Sequence, residues 1–267
     1  MNFDYSYKDL LNGYRDAGLK EKSIVFIESD IASLGFYEDR STQSILAGHL
    51  KAINEIIGTQ GTIVVPTFTL SYCSSNKIFD SLNSPSEMGI LSEYIRKQKN
   101  SIRSNHCLTS YSAIGKMAKK ICLNASHLAY GPNSPMDRMI KYNTWFLSIG
   151  LKPHDTCSTV HQTELVMGVP YRYIKEFTIF ENAPTGIFSK KSYMHVRYNS
   201  SDLNKDKRSL FEYFKERHKV LKSSVGRGFI WGYSMTDFYN SSLDYFSNNP
   251  YAILSKEPNI KPYEKTL

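Results

Sequence analysis

Three short apolar segments, each bounded by turn signals and separated by residues at helical spacing, restrict this chain to a layered α/β architecture. Residues 23–29 (SIVFIES) read as a strand; Ile45, Leu46, Leu50, Ile53, Ile56 and Ile57 then recur at helical spacing until Gly58. Residues 61–68 (GTIVVPTF) read as a second strand, with Pro66 near its end, where a missing N–H costs least. Residues 145–149 supply a third. Ser84 as N-cap, Pro85 at the first helical position and Glu87 closing a capping box predict a helix carrying Met88, Leu91 and Ile95. Ser134, Pro135 and Asp137 repeat that arrangement. Residues 171–180 read as extended, and residues 208–221 alternate apolar and charged residues at helical period. The expectation is one layered α/β/α domain over residues 1–267, built around a central mixed sheet, with the C-terminal third folded back onto it.

Composition narrows the classes of function. With 267 residues and 41% apolar content there is material for a sizeable core. The opening MNFDYSYKDLL lacks a basic start and an apolar run, and no window approaches the roughly 18 apolar residues of a membrane span. A soluble, cytoplasmic protein is expected. Cys73, Cys107, Cys122 and Cys157 are scattered without a C-x-x-C pair, which points to reduced thiols and to neither a disulfide framework nor a zinc site. The formal charge of +8 favours anionic partners. No aromatic RNA-binding strand or zinc finger accompanies the lysines, so phosphorylated small molecules fit better than nucleic acid.

The chemistry concentrates in residues 156–171, TCSTVHQTELVMGVPY. His161 and Glu164 stand three residues apart where a helix is expected to begin, so imidazole and carboxylate share one face. The acid then fixes the tautomer of the base and steadies its charged form. Ser158 or Thr159 is the expected N-cap, Thr159 pairing with Gln162, and the free N–H groups of a helix start suit phosphates or a developing oxyanion. Three other readings stand beside this one: an ordinary polar helix start, a thiol nucleophile at Cys157, and a metal held by His154, His161 and Glu164.

Six segments in order now carry a resemblance. They are IESDIASLG at 27–35, GTIVVPTFT at 61–69, SPSEMGILSEYIR at 84–96, RSNHCLTSYSAIG at 103–115, YGPNSPMDRM at 130–139 and STVHQTE at 158–164. Together they resemble the aminoglycoside N3-acetyltransferase family, whose signatures read approximately H-S-S-L-x-x-L-G, G-T-x-x-x-P-T-x-T, M-G, R-S-x-H-P-x-x-S, G-x-x-S-P and T-x-x-H-x-x-E. The resemblance runs from about residue 23 to 171 and resumes weakly at 225–235; residues 173–224 carry little of it.

The resemblance implies acyl transfer from an acyl-CoA, acetyl or longer, to the primary amine of an amino sugar, with no metal. It assigns His161 as general base and Glu164 as its orienting partner. It places Ser29, Ser33 and Gly35 along the pantetheine arm, Arg103 and Ser104 on a coenzyme A phosphate, and Ser110 and Thr159 in support. Asp30, Thr69 and Tyr72 are assigned to the acceptor. Three positions depart from the pattern: Glu28 replaces a His, Asp30 a Ser and Cys107 a Pro. His106 matches the family His. Because aminoglycosides are polycations and this chain is basic overall, the expected acceptor is a dTDP-linked 3-amino-3,6-dideoxyhexose for surface polysaccharide, with the aminoglycoside 3-amino group as the alternative. No nucleic acid or membrane partner is expected, and a homodimer is the base-rate expectation.

Overall fold

The computed structural model describes residues 3–259 and 261. Its elements run α1 (Tyr7–Asp16), β1 (Ile24–Ser29), α2 (Thr42–Ile57), β2 (Thr62–Pro66), β3 (Phe79–Asp80), α3 (Ile90–Arg96), β4 (Ile102–Arg103), β5 (Tyr111–Gly115) and α4 (Ala118–Cys122). They continue with α5 (Pro135–Lys141), β6 (Trp145–Ile149), α6 (Val160–Val166), β7 (Arg172–Ala183), β8 (Gly186–Arg197), α7 (Arg208–Arg217), β9 (Leu221–Val225), β10 (Gly228–Ser234) and α8 (Met235–Phe246).

The three segments read as strands form the parallel centre of a mixed seven-stranded sheet ordered β4-β5-β2-β1-β6-β10-β9. Antiparallel strands extend it on both sides, β5 against β2 and β10 against β6. The period-two alternation of the strands sends neighbouring side chains to opposite layers. Val25, Ile27, Ile63, Val65, Leu147 and Ile149 pack with α1, α2 and α3 on one face. Phe26, Val64, Tyr111, Phe146 and Tyr233 pack on the other with α5, α6, α7 and α8. Strands β9 and β10 and helix α8 bring the C-terminal third back onto the sheet, as expected. Among the described residues no helix is long and apolar enough to cross a membrane.

Residues 173–197 form most of a long hairpin, β7 with β8, joined to β3 as a second, three-stranded sheet. Its inner residues Ile179 and Met194 pack with Tyr72, Phe79, Cys107 and Leu108.

Local signals held at α2, which Gly58 ends at φ +65°, and at α5, where the Ser134 hydroxyl accepts from the Asp137 N–H; the α2 cap, Ser41, was not read from the sequence. The helix predicted from Ser84 starts later, at Ile90 after Gly89. Gly89 takes φ +94°, which interrupts any helix begun upstream, and the capping groups are engaged elsewhere. Ser84 accepts from the Asp80 N–H, and Glu87 accepts from the Ser71 N–H and hydroxyl.

The aromatic seam beneath the sheet has a measurable weight. Phe146 stacks on Tyr233 at 4.8 Å and meets Phe26 edge-on at 5.6 Å, all three fully buried. Phe146→Ala is expected to lower unfolding stability by about 3–5 kcal/mol. Denaturant titration checks this; a loss under about 1 kcal/mol would mean the seam is not close-packed.

Candidate active site

The parallel strands β1 and β6 end side by side, and the loops leaving their carboxyl ends build a cleft of about 440 Å³. Glu28 and Ser29 close β1; Pro66 and Phe68 come from β2 and the loop after it; Leu151, Asp155, Thr156 and Ser158 come from the loop after β6; Met194 and His195 come from β8. His161, the second residue of α6, lies on the wall of this cleft with 23% of its side chain exposed.

Its partner is fully buried. His161 Nδ1 lies 2.5 Å from Glu164 Oε2, while the other carboxylate oxygen accepts the Tyr171 hydroxyl at 3.0 Å and lies 2.8 Å from Arg172 Nε. Arg172 is anchored in turn by donating to the His195 carbonyl at 2.7 Å. Burial would raise the Glu164 carboxyl, but the imidazole and Arg172 outweigh it and hold it below the ordinary carboxylate range. Burial pulls His161 down to about 4 against the pull of Glu164. The ring is therefore neutral near pH 7. Its Nδ1 proton is donated to the carboxylate, and the Nε2 lone pair is left for the cleft. Tyr130 packs at 5.4 Å between ring centroids and limits tilting of the imidazole.

Helix α6 does not start as its sequence suggested. Ser158 donates its hydroxyl to Glu28, Gln162 accepts from the Gly131 N–H at 2.7 Å, and the buried Thr159 hydroxyl has no partner. The N–H groups of Val160, His161 and Gln162 bond back to the carbonyls of Cys157, Ser158 and Thr159. These three donors are therefore not offered to a phosphate or an oxyanion, and burial is the largest cause of the neutrality of His161. Cys157 is buried, and desolvation pushes its thiol up to about 11, which suppresses the thiolate that a nucleophile requires. His154 lies outside the cleft, 3.6 Å from Asp155, and among the described residues no three His, Cys, Asp or Glu side chains gather as a metal site.

The remaining candidates divide. Ser29 lines the cleft, and Ser33 lines a neighbouring groove while donating to Asp30 at 2.6 Å. Asp30 also accepts from the Ala32 N–H, so this carboxylate forms the turn after β1. Gly35 stands at φ +88° where a side chain would strike Asp4 2.4 Å away, the requirement of a turn. Arg103 is turned inward, with its three nitrogens on Ser110 Oγ and the carbonyls of Ser84 and Thr67 at 2.6–2.9 Å. Ser104 accepts from the Tyr111 N–H, Ser110 donates to the Thr67 carbonyl, Thr69 donates to the Cys107 carbonyl and Tyr72 donates to Ser84. These groups brace the loops beneath the cleft. His106 Nδ1 accepts the N–H groups of Leu108 and Thr109, a turn-forming role. Sequence reasoning did not find Tyr130, Tyr171, Arg172, His195 or Lys205. The usable signal was electrostatic: a carboxylate as buried as Glu164 needs a cation, and Arg172 follows eight residues later.

The comparisons with known proteins agree with this geometry. The sequence profile of the family described as aminoglycoside 3-N-acetyltransferase matches residues 26–247. This chain belongs to that family. It is thus an N-acyltransferase that draws on an acyl-CoA. Aminoglycoside N(3)-acetyltransferase IV from Salmonella sp is 23% identical over 95% of this chain and 92% of its own length. The SPbeta prophage-derived aminoglycoside N(3')-acetyltransferase-like protein YokD of Bacillus subtilis is 22% identical over 92% and 94%. The solved apoenzyme of aminoglycoside acetyltransferase AAC(3)-IVa superposes with a TM-score of 0.78 at 20% identity, covering 99% of this chain and 98% of its own. AAC-IIIb, solved as a binary complex with CoASH, gives 0.78 at 16% identity over 95% and 99%. These matches overturn the nucleotide-linked amino sugar as acceptor. That expectation rested on net charge, a sum over the whole surface that says nothing about one cleft.

A low-pKa base is directly measurable. His161 is expected to titrate below the ordinary histidine value of about 6.5 and to stay neutral as pH falls past it. NMR of ring-labelled histidine, assigned by loss of the signal in His161→Gln, checks this; a midpoint at or above the ordinary value contradicts the burial argument.

Proposed function

We propose that this protein transfers the acetyl group of acetyl-CoA to the 3-amino group of an aminoglycoside, with His161 as general base. The carrying observation is the His161–Glu164 pair, with its acid fully buried and its ring opening onto a cleft of small-molecule size. An alkylamine is protonated at neutral pH and attacks a thioester only once neutral. The ammonium form first gives up one proton to solvent, and the neutral nitrogen then bonds to the carbonyl carbon as an N–H proton passes to His161 Nε2. The tetrahedral intermediate then breaks its C–S bond, and the departing thiolate takes the proton back from His161. Glu164 stabilises the transient imidazolium, and Arg172 with Tyr171 keeps that carboxylate ionised and in place. Direct transfer needs no enzyme nucleophile.

The carboxylates around the cleft support a polycationic acceptor. Glu28 and Asp155 line it, and an adjoining recess that shares Ser29 and Met88 adds Asp30 and Glu87. Of the two cations on the wall, Arg172 is already neutralised by Glu164.

Thiol release from acetyl-CoA, measured against gentamicin, sisomicin and apramycin, is expected to show turnover with at least one; silence across such a panel would overturn the acceptor. His161→Ala is expected to lower kcat by about 10²-fold or more with acetyl-CoA binding retained. Glu164→Gln is expected to fall between that variant and the parent, since it keeps the ring but loses the charge that steadies its protonated form. Parent-like turnover in His161→Ala removes this residue from the mechanism.

A further inference from the structure

His161 accounts for the proton that leaves the amine, but attack on a thioester also drives the carbonyl π pair onto oxygen. That oxyanion calls for a positive partner in the cleft. The N–H groups of Val160, His161 and Gln162 are engaged by the carbonyls of Cys157, Ser158 and Thr159. Arg172 is paired with Glu164 and donates to the His195 carbonyl. Among the described residues that line the cleft, the remaining cation is Lys205.

The backbone around Lys205 is fixed from two sides. Lys205 bridges to Leu254, the Ser255 N–H donates to the Asn204 carbonyl at 2.8 Å, and the Asp206 N–H donates to the Ile253 carbonyl at 2.7 Å. Lys207 reaches across to the loop after β6, where its ammonium donates to the carbonyls of Asp155 and Thr156 at 2.8 and 2.7 Å. Leu203 is fully buried just upstream, and Arg197 donates to its carbonyl. Between these staples the Lys205 ammonium has neither a hydrogen-bond partner nor a carboxylate within ion-pair distance among the described residues. Its charge acts on both members of the reacting pair, favouring the neutral His161 ring and the ionised Glu164 carboxylate. Although the residue as a whole is exposed, desolvation and the nearby charges of Arg172, Lys207 and Arg197 outweigh Glu164 and draw the ammonium down to about 8, which leaves it charged near pH 7. Lys205 lies in residues 173–224, outside the shared signature segments.

We infer that Lys205 is a catalytic residue, its ammonium donating to the oxyanion that forms when the amine attacks the thioester carbonyl. This rests on the acyl transfer proposed above. As the N–C bond forms, the carbonyl π pair moves onto oxygen and faces the ammonium, while His161 Nε2 holds the amine proton. When C=O re-forms, the C–S pair leaves with sulfur, and the thiolate takes that proton from His161. Lys205 keeps its own proton throughout. Its contribution is electrostatic and is larger on the charged intermediate than on the neutral thioester, which is the condition for raising kcat.

The test uses the intact protein, acetyl-CoA and an aminoglycoside that the parent acetylates, with thiol release as the assay and calorimetry for coenzyme A affinity. Lys205→Met is expected to lower kcat at saturation by about 10²-fold, with the acceptor KM, coenzyme A affinity and thermal melting close to the parent's. Lys205→Arg keeps the charge and is expected to return kcat to within about tenfold of the parent. Parent-like kcat in Lys205→Met overturns the assignment. So does a loss carried entirely by weaker coenzyme A binding, which places the lysine on a phosphate, or entirely by the acceptor KM. An equal fall of kcat in both variants overturns it as well, because charge is then not what the position supplies. Each of these outcomes leaves the acyltransferase reading standing. A parent protein that acetylates no aminoglycoside overturns that acceptor reading and this inference with it.

Discussion

Glu164 is a fully buried carboxylate, and the layout of the site follows from the need to keep it charged. An isolated carboxylate in such a position would take up a proton rather than bear the loss of hydration. Three groups prevent this: the His161 ring, the Tyr171 hydroxyl and the Arg172 guanidinium. They come from α6, from the turn that follows it and from the first residue of β7. Holding the acid ionised therefore ties the start of β7 to α6. The same contacts fix the tautomer and orientation of the imidazole. A buried ion pair is weak evidence for stability; here its consequence is geometric, since it holds the carboxylate that orients the imidazole.

The sheet supplies the frame for this arrangement. β1 and β6 are parallel and adjacent, so their carboxyl ends open a shared crevice, and Glu28, Ser29, Leu151, Asp155, Thr156 and Ser158 bring one part of its wall. Glycine is needed where those loops nearly touch. At Gly150, with φ +69°, a side chain would lie 2.1 Å from the Asp30 carbonyl, so the turn after β6 can approach the turn after β1 only without one. The hairpin β7–β8 closes the far wall with Met194 and His195.

Charge is sorted across this crevice rather than spread evenly. Asp30 and Glu87 line the recess beside α3, while Lys152, Lys215, Lys222 and Arg227 line the groove at the start of β10. A net charge of +8 conceals that division.

The sequence by itself determined the layers and the pairing of His161 with Glu164. Continuous apolar runs bury both faces of a strand, the segments at 23–29, 61–68 and 145–149 supply the sheet centre, and His161 with Glu164 at helical spacing meets on one face wherever that helix lies. These are local consequences of chain geometry. Tertiary structure decided what the polar side chains do. Ser84 and Glu87 had the spacing of a helix cap but were drawn to Asp80 and Ser71; Ser158 turned to Glu28; Arg103 was absorbed by carbonyls up to 36 residues away in sequence. The wall residues Arg172, His195 and Lys205 reach the cleft through a hairpin and a return crossing that no local pattern encodes. A short polar side chain can satisfy its hydrogen bonds in many ways of similar energy. Which one it takes depends on the groups folding brings within about 3 Å, and only the assembled layers settle that.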